Sequence, residues 1–464
     1  MKIKAKYRFI IVAVVFATIG FSVSSCDPED IIKEVITDKD PEKTKLYNYV
    51  DDLMDDVYYW YKEVPKNINR ILYPDVFDYF DKHLVQQDRW SWMMTGEEYL
   101  NDNAGISTSY GASYGQSVDY FEDYSIRVRY VHPNTPLSEN GVKRGWELTH
   151  LNSTPVMDLV RNNTFNAQMA KATNTFTFKD HNNGMKTFTT SSRVINTRSY
   201  LAKDIFTSED FPGLTKAVGY FNYLTFNAHM TEDIDEAMAM FKAAGVKELI
   251  LDLRYNGGGD GRATQLLANY IAPASAEGKV VARREHNDKY SSLDTKTENM
   301  TIVKRIAGSL NLDRLYVLGS RGTASASEVI LNGFKPLMEV IHVGTATYGK
   351  PNGMYVISYP ENNYTDPKYI LLPIAFFTVN SKGEGHYING LDPDHYRPDD
   401  LYHDFGINED WVKACLTHSA TGSFPALPPK PASVKSMGKE YRLHTETDSP
   451  NYGRYTFKLN ERLK

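Results

Sequence analysis

The stretch Leu315-Tyr316-Val317-Leu318-Gly319-Ser320-Arg321-Gly322-Thr323-Ala324-Ser325-Ala326-Ser327-Glu328-Val329-Ile330 decides how the chain is read. An apolar strand, Leu315 to Leu318, enters a turn rich in glycine and serine, and a helix carrying Val329, Ile330, Phe334 and Leu337 leaves it. A serine in such a turn has two uses. It caps the helix by accepting from the first backbone amides, or it sets a hydroxyl where unpaired amides and the helix dipole stabilise an oxyanion. Ser325 and Ser327, with Glu328 beside them, fit the first use, so the turn alone leaves the choice open.

On either side, strand-like and helix-like segments alternate. Val218 to Leu224, Leu249 to Leu253 and Val340 to Val343 read as buried strands; Glu232 to Ala244, Arg262 to Ile271 and Ser327 to Leu337 carry helical periodicity. That alternation predicts crossover units and an α/β core. A second strand-to-helix turn, Leu251-Asp252-Leu253-Arg254-Tyr255-Asn256-Gly257-Gly258-Gly259-Asp260-Gly261, lies within it. Consecutive glycines let backbone amides approach a ligand closely. No Lys-Ser or Lys-Thr pair closes this turn into a nucleotide-binding loop.

The 464 residues exceed what one core organises, so several domains are expected. Leu46, Val50, Leu53 and Val57 recur at helical spacing and open a helical domain over residues 46–103, with Trp90 and Trp92 read as core. Residues 104–192 switch to period-two alternation, as in Ser125-Ile126-Arg127-Val128-Arg129-Tyr130-Val131. The segment 422–464 opens as an extended linker with Pro425, Pro428, Pro429 and Pro431, and its end, Arg454 to Leu459, reads as an edge strand.

Residues 1–25 read as a signal peptide: Lys2, Lys4, Lys6 and Arg8 precede an apolar run from Phe9 to Val23. It ends in Val23-Ser24-Ser25-Cys26, which resembles the lipobox of bacterial lipoproteins. Cys26 is therefore expected to carry lipid and attach the protein to the membrane, with residues 26–45 as a tether. The expected location is the cell envelope at the outer membrane; the acidic run Asp27 to Asp30 resembles a surface-export signal, which leaves both a cell-surface and a periplasmic facing open. Cys415, the other cysteine, reads as a small buried residue. A net charge of -6 with mixed signs argues against nucleic acid as a partner. The 12 histidines lack metal-ligand spacing, and no cofactor is implied. Gly111-Ala112-Ser113-Tyr114-Gly115 fits the nucleophile-elbow string, but no helix follows it.

The open choice at Ser325 is narrowed by Gly344-Thr345-Ala346-Thr347-Tyr348-Gly349-Lys350, which sets a lysine 25 residues downstream. With Leu-Asp-Leu-Arg-Tyr-Asn-Gly-Gly at 251–258 and Gly390-Leu391-Asp392-Pro393-Asp394, these segments resemble the C-terminal processing peptidases, serine peptidase family S41. The resemblance implies a multidomain α+β chain: a helical N-terminal domain, a PDZ-like β-module, and an α/β ClpP/crotonase-like peptidase core over 193–421. It implies Ser325 as nucleophile and Lys350 as general base, with the oxyanion hole at Ala326, Gly258 and Gly259. Val131 to Leu148 and Asn152-Ser153-Thr154-Pro155-Val156 resemble PDZ segments. That resemblance implies capture of protein or peptide chain ends through the Tyr110 to Gly115 loop. A lysine base must be neutral, so Lys350 is expected to be desolvated. Met354 departs from the family, which often has glutamine there; Asn352 is a nearby candidate to orient Lys350 instead. His342 reads as structural. The rival expectation is a cell-envelope binding lipoprotein on the same fold, non-catalytic or weakly catalytic.

Overall fold

The computed structural model describes residues 40–116, 124–227, 229–427 and 454–459, and divides into two compact units. Cys26, the segment read as a signal peptide and most of the expected tether lie outside the described residues. The smaller unit holds residues 40–52 and 65–82 of those described. The Tyr47 and Tyr79 rings stack in it with centroids 4.4 Å apart, and Asp51 accepts from Tyr79 Oη and Arg70 Nη2, each at 2.5 Å.

The larger unit is built on three main sheets and a two-stranded pair, Ile106–Ser109 with Arg193–Asn196. The first runs in the spatial order Tyr200–Phe206, Val218–Tyr223, Glu248–Asp252, Arg314–Gly319, Glu339–Gly344 and His395–Tyr396, with every pairing after the first parallel. Parallel strands need crossovers. Helices Thr231–Ala243, Gly261–Ile271 and Ala326–Phe334 lie in the first three of the four connections. The strands alternate faces. Val218, Tyr220, Ile250, Tyr316, Leu318 and Val343 pack against Trp411, Val412, Cys415 and Leu416 of helix Asp410–Thr421. Gly219 faces Phe241 of helix Thr231–Ala243 on the other side. Burial on both faces explains why these strands read as unbroken apolar runs.

The second sheet is the β-module: Ala112–Gln116, Ile126–Val131, Glu147–Leu151, Thr173–Lys179 and Met185–Ser191 pair antiparallel, with Thr154–Pro155 beside Glu147–Leu151. Its core gathers Ile126, Val128, Leu148, Leu151, Phe176 and Phe178 with Leu137 and Leu159 from short helices, the PDZ-like arrangement of a sheet closed by helices. Ser113 lies within the strand Ala112–Gln116.

The third sheet contains two departures from expectation. Trp92–Thr95 is a strand antiparallel to Tyr369–Leu372, in a stretch whose spacing reads as helical. Trp92, Met93 and Met94 are all buried, so long-range pairing and burial outweigh local periodicity. The C-terminal Arg454–Lys458 is no edge strand. It inserts between Gly258–Asp260 and Asn352–Tyr359 and pairs in parallel with both. An edge reading rests on local alternation alone, which says nothing about how many neighbours a strand has.

Trp411 is fully buried, donates from Nε1 to Pro398 O at 2.7 Å and lies beneath the Arg254 guanidinium, 4.2 Å from its ring centroid. Trp411→Ala is expected to lower the unfolding free energy by about 3–5 kcal/mol, read as a reduced urea midpoint at unchanged slope.

Candidate active site

Parallel pairing puts the two turns side by side. Gly319 and Gly344 end adjacent strands in register, and the chain runs on from them to Ser325 and to Lys350. Ser325 is the N-cap of helix Ala326–Phe334, with φ 58° and ψ -112°. A side chain held in that region stores roughly 1–3 kcal/mol of strain, which the surrounding hydrogen bonds must hold. Ser327 Oγ and the Ala324 amide both donate to Asn256 O, at 3.0 Å each, and Thr323 Oγ1 donates to Leu253 O at 2.7 Å. The serine turn is thereby stitched to the glycine turn. Ser327 is spent in that bond, whereas Ser325 Oγ is buried and has no hydrogen-bond partner among the described residues.

Glu328 joins the serine turn to the lysine turn. Its Oε2 accepts from Ser325 N at 2.7 Å and from Lys350 N at 2.9 Å; its Oε1 accepts from Thr347 Oγ1 at 2.5 Å and Gly349 N at 2.7 Å. Burial pushes this carboxyl group up, opposed by those four donors. Thr347 in turn receives the Leu391 amide on Oγ1 at 2.7 Å, which fixes the Gly390 to Asp394 segment. His342 is buried there with Nδ1 3.1 Å from Asp392 O, and burial pulls its ring down to about 4.

The Lys350 side chain is fully buried, and burial pulls its amine down from 10.5 to about 7, with Asp88 and Glu328 opposing and Arg454 assisting. Its Nζ stands 3.8 Å from Met354 Sδ, a weak acceptor. Asn352 does not take the orienting role, because both polar atoms of its buried amide lack partners among the described residues. Nor is Ser325 Oγ bonded to Lys350 in this arrangement.

The glycine turn lies against the helix N-terminus. A Cβ on Gly258, where φ is +94°, would collide with the Arg454 carbonyl oxygen and stand 2.8 Å from Ala326 N. Only glycine permits that approach. The Gly258 amide itself donates to Asn256 Oδ1 at 2.8 Å, and Gly259 is registered with Tyr455.

Behind the turn is a buried ionic cluster that the sequence reading did not find. Arg254 donates to Asp252 at 2.9 Å, to both Glu409 oxygens at 2.5 and 3.0 Å, and to Asp399 at 3.1 Å. Arg144, from the β-module, reaches Asp399 at 2.6 Å and Tyr255 Oη at 2.7 Å. Burial opposes ionisation of Asp399, but the two guanidinium groups hold it at about 2. Asp399 and Glu409 lie far along the chain in no motif; the one local signal is an acid just before a helix, since Glu409 caps Asp410–Thr421.

Comparison with known proteins matches this geometry to a family. Residues 217–396, spanning both turns, match the model of peptidase family S41, and residues 45–92 match the peptidase S41 N-terminal domain. The chain carries a peptidase family S41 domain. Over 140 residues it is 31% identical to the chloroplastic C-terminal processing peptidase of Tetradesmus obliquus, covering 30% of this chain and 28% of that one. Over 136 residues it is 29% identical to the carboxyl-terminal-processing protease of Synechocystis, covering 29% of each. The chain thus spans under a third of the length of these relatives. A solved structure from Bacteroides fragilis, named for the S41 proteases, superposes with a TM-score of 0.63 at 23% identity, over 81% of this chain and 97% of that one. That likeness establishes a shared fold.

Glu328→Gln keeps the size but offers one accepting oxygen where the S41 domain uses two. The amide nitrogen would face two donors, so a loss of about 1–3 kcal/mol in stability is expected. Removing the negative charge should also lower the Lys350 pKa. The check is urea unfolding together with NMR titration of the Lys350 amine, whose midpoint is expected to move to lower pH.

Proposed function

We propose that the chain is a serine endopeptidase that cleaves protein or peptide substrates, with Ser325 as nucleophile and Lys350 as general base. The observation that carries this reading is the Glu328 carboxylate, which holds the amides of Ser325 and Lys350 on one oxygen and so fixes the two turns together. Ser325 sits on a strained strand-to-helix turn, and its hydroxyl is not spent as a structural donor. Burial brings the Lys350 amine down to about 7, so a substantial fraction is neutral there and able to act as a base.

In the reaction, Lys350 Nζ takes the proton from Ser325 Oγ as the oxygen attacks the scissile carbonyl carbon. The same proton then passes to the leaving amine, and water hydrolyses the acyl-enzyme. The oxyanion is held by the Ala326 amide, one of the orphan donors at the helix N-terminus, and by an amide of the Gly258–Gly259 pair. Gly258 must exchange its bond to Asn256 Oδ1 to serve, or Gly259 must leave its pairing with the tail. We further read the core as ClpP/crotonase-like, the β-module as a receptor for chain ends, and Cys26 as the lipid anchor that holds the enzyme in the cell envelope. Among the described residues no helix is long and apolar enough to cross a membrane.

A non-catalytic binding role is favoured by one observation only: Lys350 Nζ lies against Met354 Sδ while Ser325 Oγ is unpaired. Casein digestion by wild type, Ser325→Ala and Lys350→Ala separates the two readings. Each variant is expected to lose at least about 100-fold in kcat/KM, and equal turnover by all three would defeat the peptidase assignment. The kcat/KM profile is expected to rise with pH through about 7, because the protonated amine present below that value cannot accept the serine proton. A flat profile from pH 5 to 9 would exclude Lys350 as the base.

A further inference from the structure

In the arrangement described, the site is closed. Ser325 and Lys350 are both fully buried, although a scissile carbonyl has to reach Ser325 Oγ. A cavity of about 460 Å³ opens beside the glycine turn, lined by Gly257, Gly258 and Gly259 and by Arg454, Thr456 and Lys458; neither Ser325 nor Lys350 lines it. What lies along that wall is the C-terminal strand.

The strand is held as an extended peptide would be. Arg454 N donates to Gly257 O at 2.7 Å, residues 454–456 are in register with Gly258 to Asp260, and Thr456 to Lys458 are in register with Met354 to Val356. The Arg454 carbonyl occupies the space beside Gly258 and the Ala326 amide, where the oxyanion donors have been assigned. Alternate side chains point inward. Tyr455 Oη pairs with Thr301 Oγ1 at 2.9 Å, and its ring packs 6.1 Å from Phe376. Phe457 sits under the Arg284 guanidinium, 3.9 Å from its ring centroid, and against Gly261, where a Cβ would collide with it. The other face carries Arg454, stacked 4.9 Å over Trp92 and paired with Asp102.

We infer that Arg454–Lys458 occupies the substrate's place, so that the groove between Gly258–Asp260 and Asn352–Tyr359 accepts an extended peptide with aromatic side chains two residues apart, and the chain's own tail holds the enzyme closed until such a peptide displaces it. Recognition is by strand addition, in which backbone pairing supplies affinity and alternate side-chain slots supply selectivity. The tail is covalently attached, so it competes at high effective concentration and only peptides that fill both aromatic slots displace it. This inference rests on the peptidase reading.

The test measures labelling of Ser325 by an alkyl fluorophosphonate in the full-length chain, with Ser325→Ala as the control for site. Tyr455→Ser/Phe457→Ser is expected to label at least about tenfold faster than wild type. The synthetic peptide Arg-Tyr-Thr-Phe-Lys should suppress that gain, and Arg-Ser-Thr-Ser-Lys should not. Should the double variant fail to fold, Val356→Cys/Lys458→Cys, a registered pair, decides the matter. Oxidation with diamide should slow labelling about tenfold and dithiothreitol should restore it. Labelling of wild type as fast as the double variant, or of the cross-linked form as fast as the reduced one, overturns the tail inference and leaves the peptidase reading standing. Absence of labelling in every folded form overturns the peptidase reading, and this inference with it.

Discussion

A single buried carboxylate organises the centre of this molecule. Glu328 has no solvent to ionise into, and its charge is tolerated because four donors converge on two oxygens. Two of those donors are the amides of Ser325 and Lys350 and the other two lie within the lysine turn, so the groups that solvate the charge are the same groups whose positions it sets. A buried charge with incomplete partners costs several kcal/mol, which makes the arrangement cooperative: the serine turn, the lysine turn and the Thr347 contact form together. The strain at Ser325 is sustained by that closure and by the bonds from Ala324 and Ser327 to Asn256.

A second ionic cluster does comparable work for the glycine turn. Arg254 is fully buried between Asp252, Glu409 and Asp399, and Arg144 ties the same Asp399 to the β-module. Its two arginines bring together acids contributed by a strand, a loop and a helix cap. Losing one acid would leave a guanidinium without solvent, so the position of the β-module and the conformation of the glycine turn are coupled through one charge balance.

Much of this was legible in the sequence. Alternating apolar strands and amphipathic helices between Val218 and Val343 gave the parallel sheet, because burial on both faces leaves unbroken apolar runs. Ser325 and Lys350 were legible because each follows a glycine that ends a strand, and neighbouring strands in register bring such turns together. Glu328 was visible only as a helix-cap companion, since its role depends on donors about twenty residues away that the helix geometry does not imply. Asp399, Glu409 and the pairing of Arg454–Lys458 with Gly258–Asp260 join positions far apart in sequence, where local periodicity carries no information. Trp92–Thr95 was misread for the same reason: its partner is Tyr369–Leu372, and the pairing overrides the local pattern.

The insertion of the tail between two parallel strands also makes it a keyed element. Side chains in a strand alternate with period two, so sliding the tail by one residue would swap its faces. Tyr455 and Phe457 would leave the slots beside Thr301, Phe376 and Arg284, and Arg454, Thr456 and Lys458 would enter them. The shift that brings Lys458 to the Phe457 slot would set a second cation beside Arg284. The groove consequently rejects the wrong phase of a repeating aromatic-polar sequence by charge as well as by shape, and distinguishes two peptides of identical composition by which residue comes first.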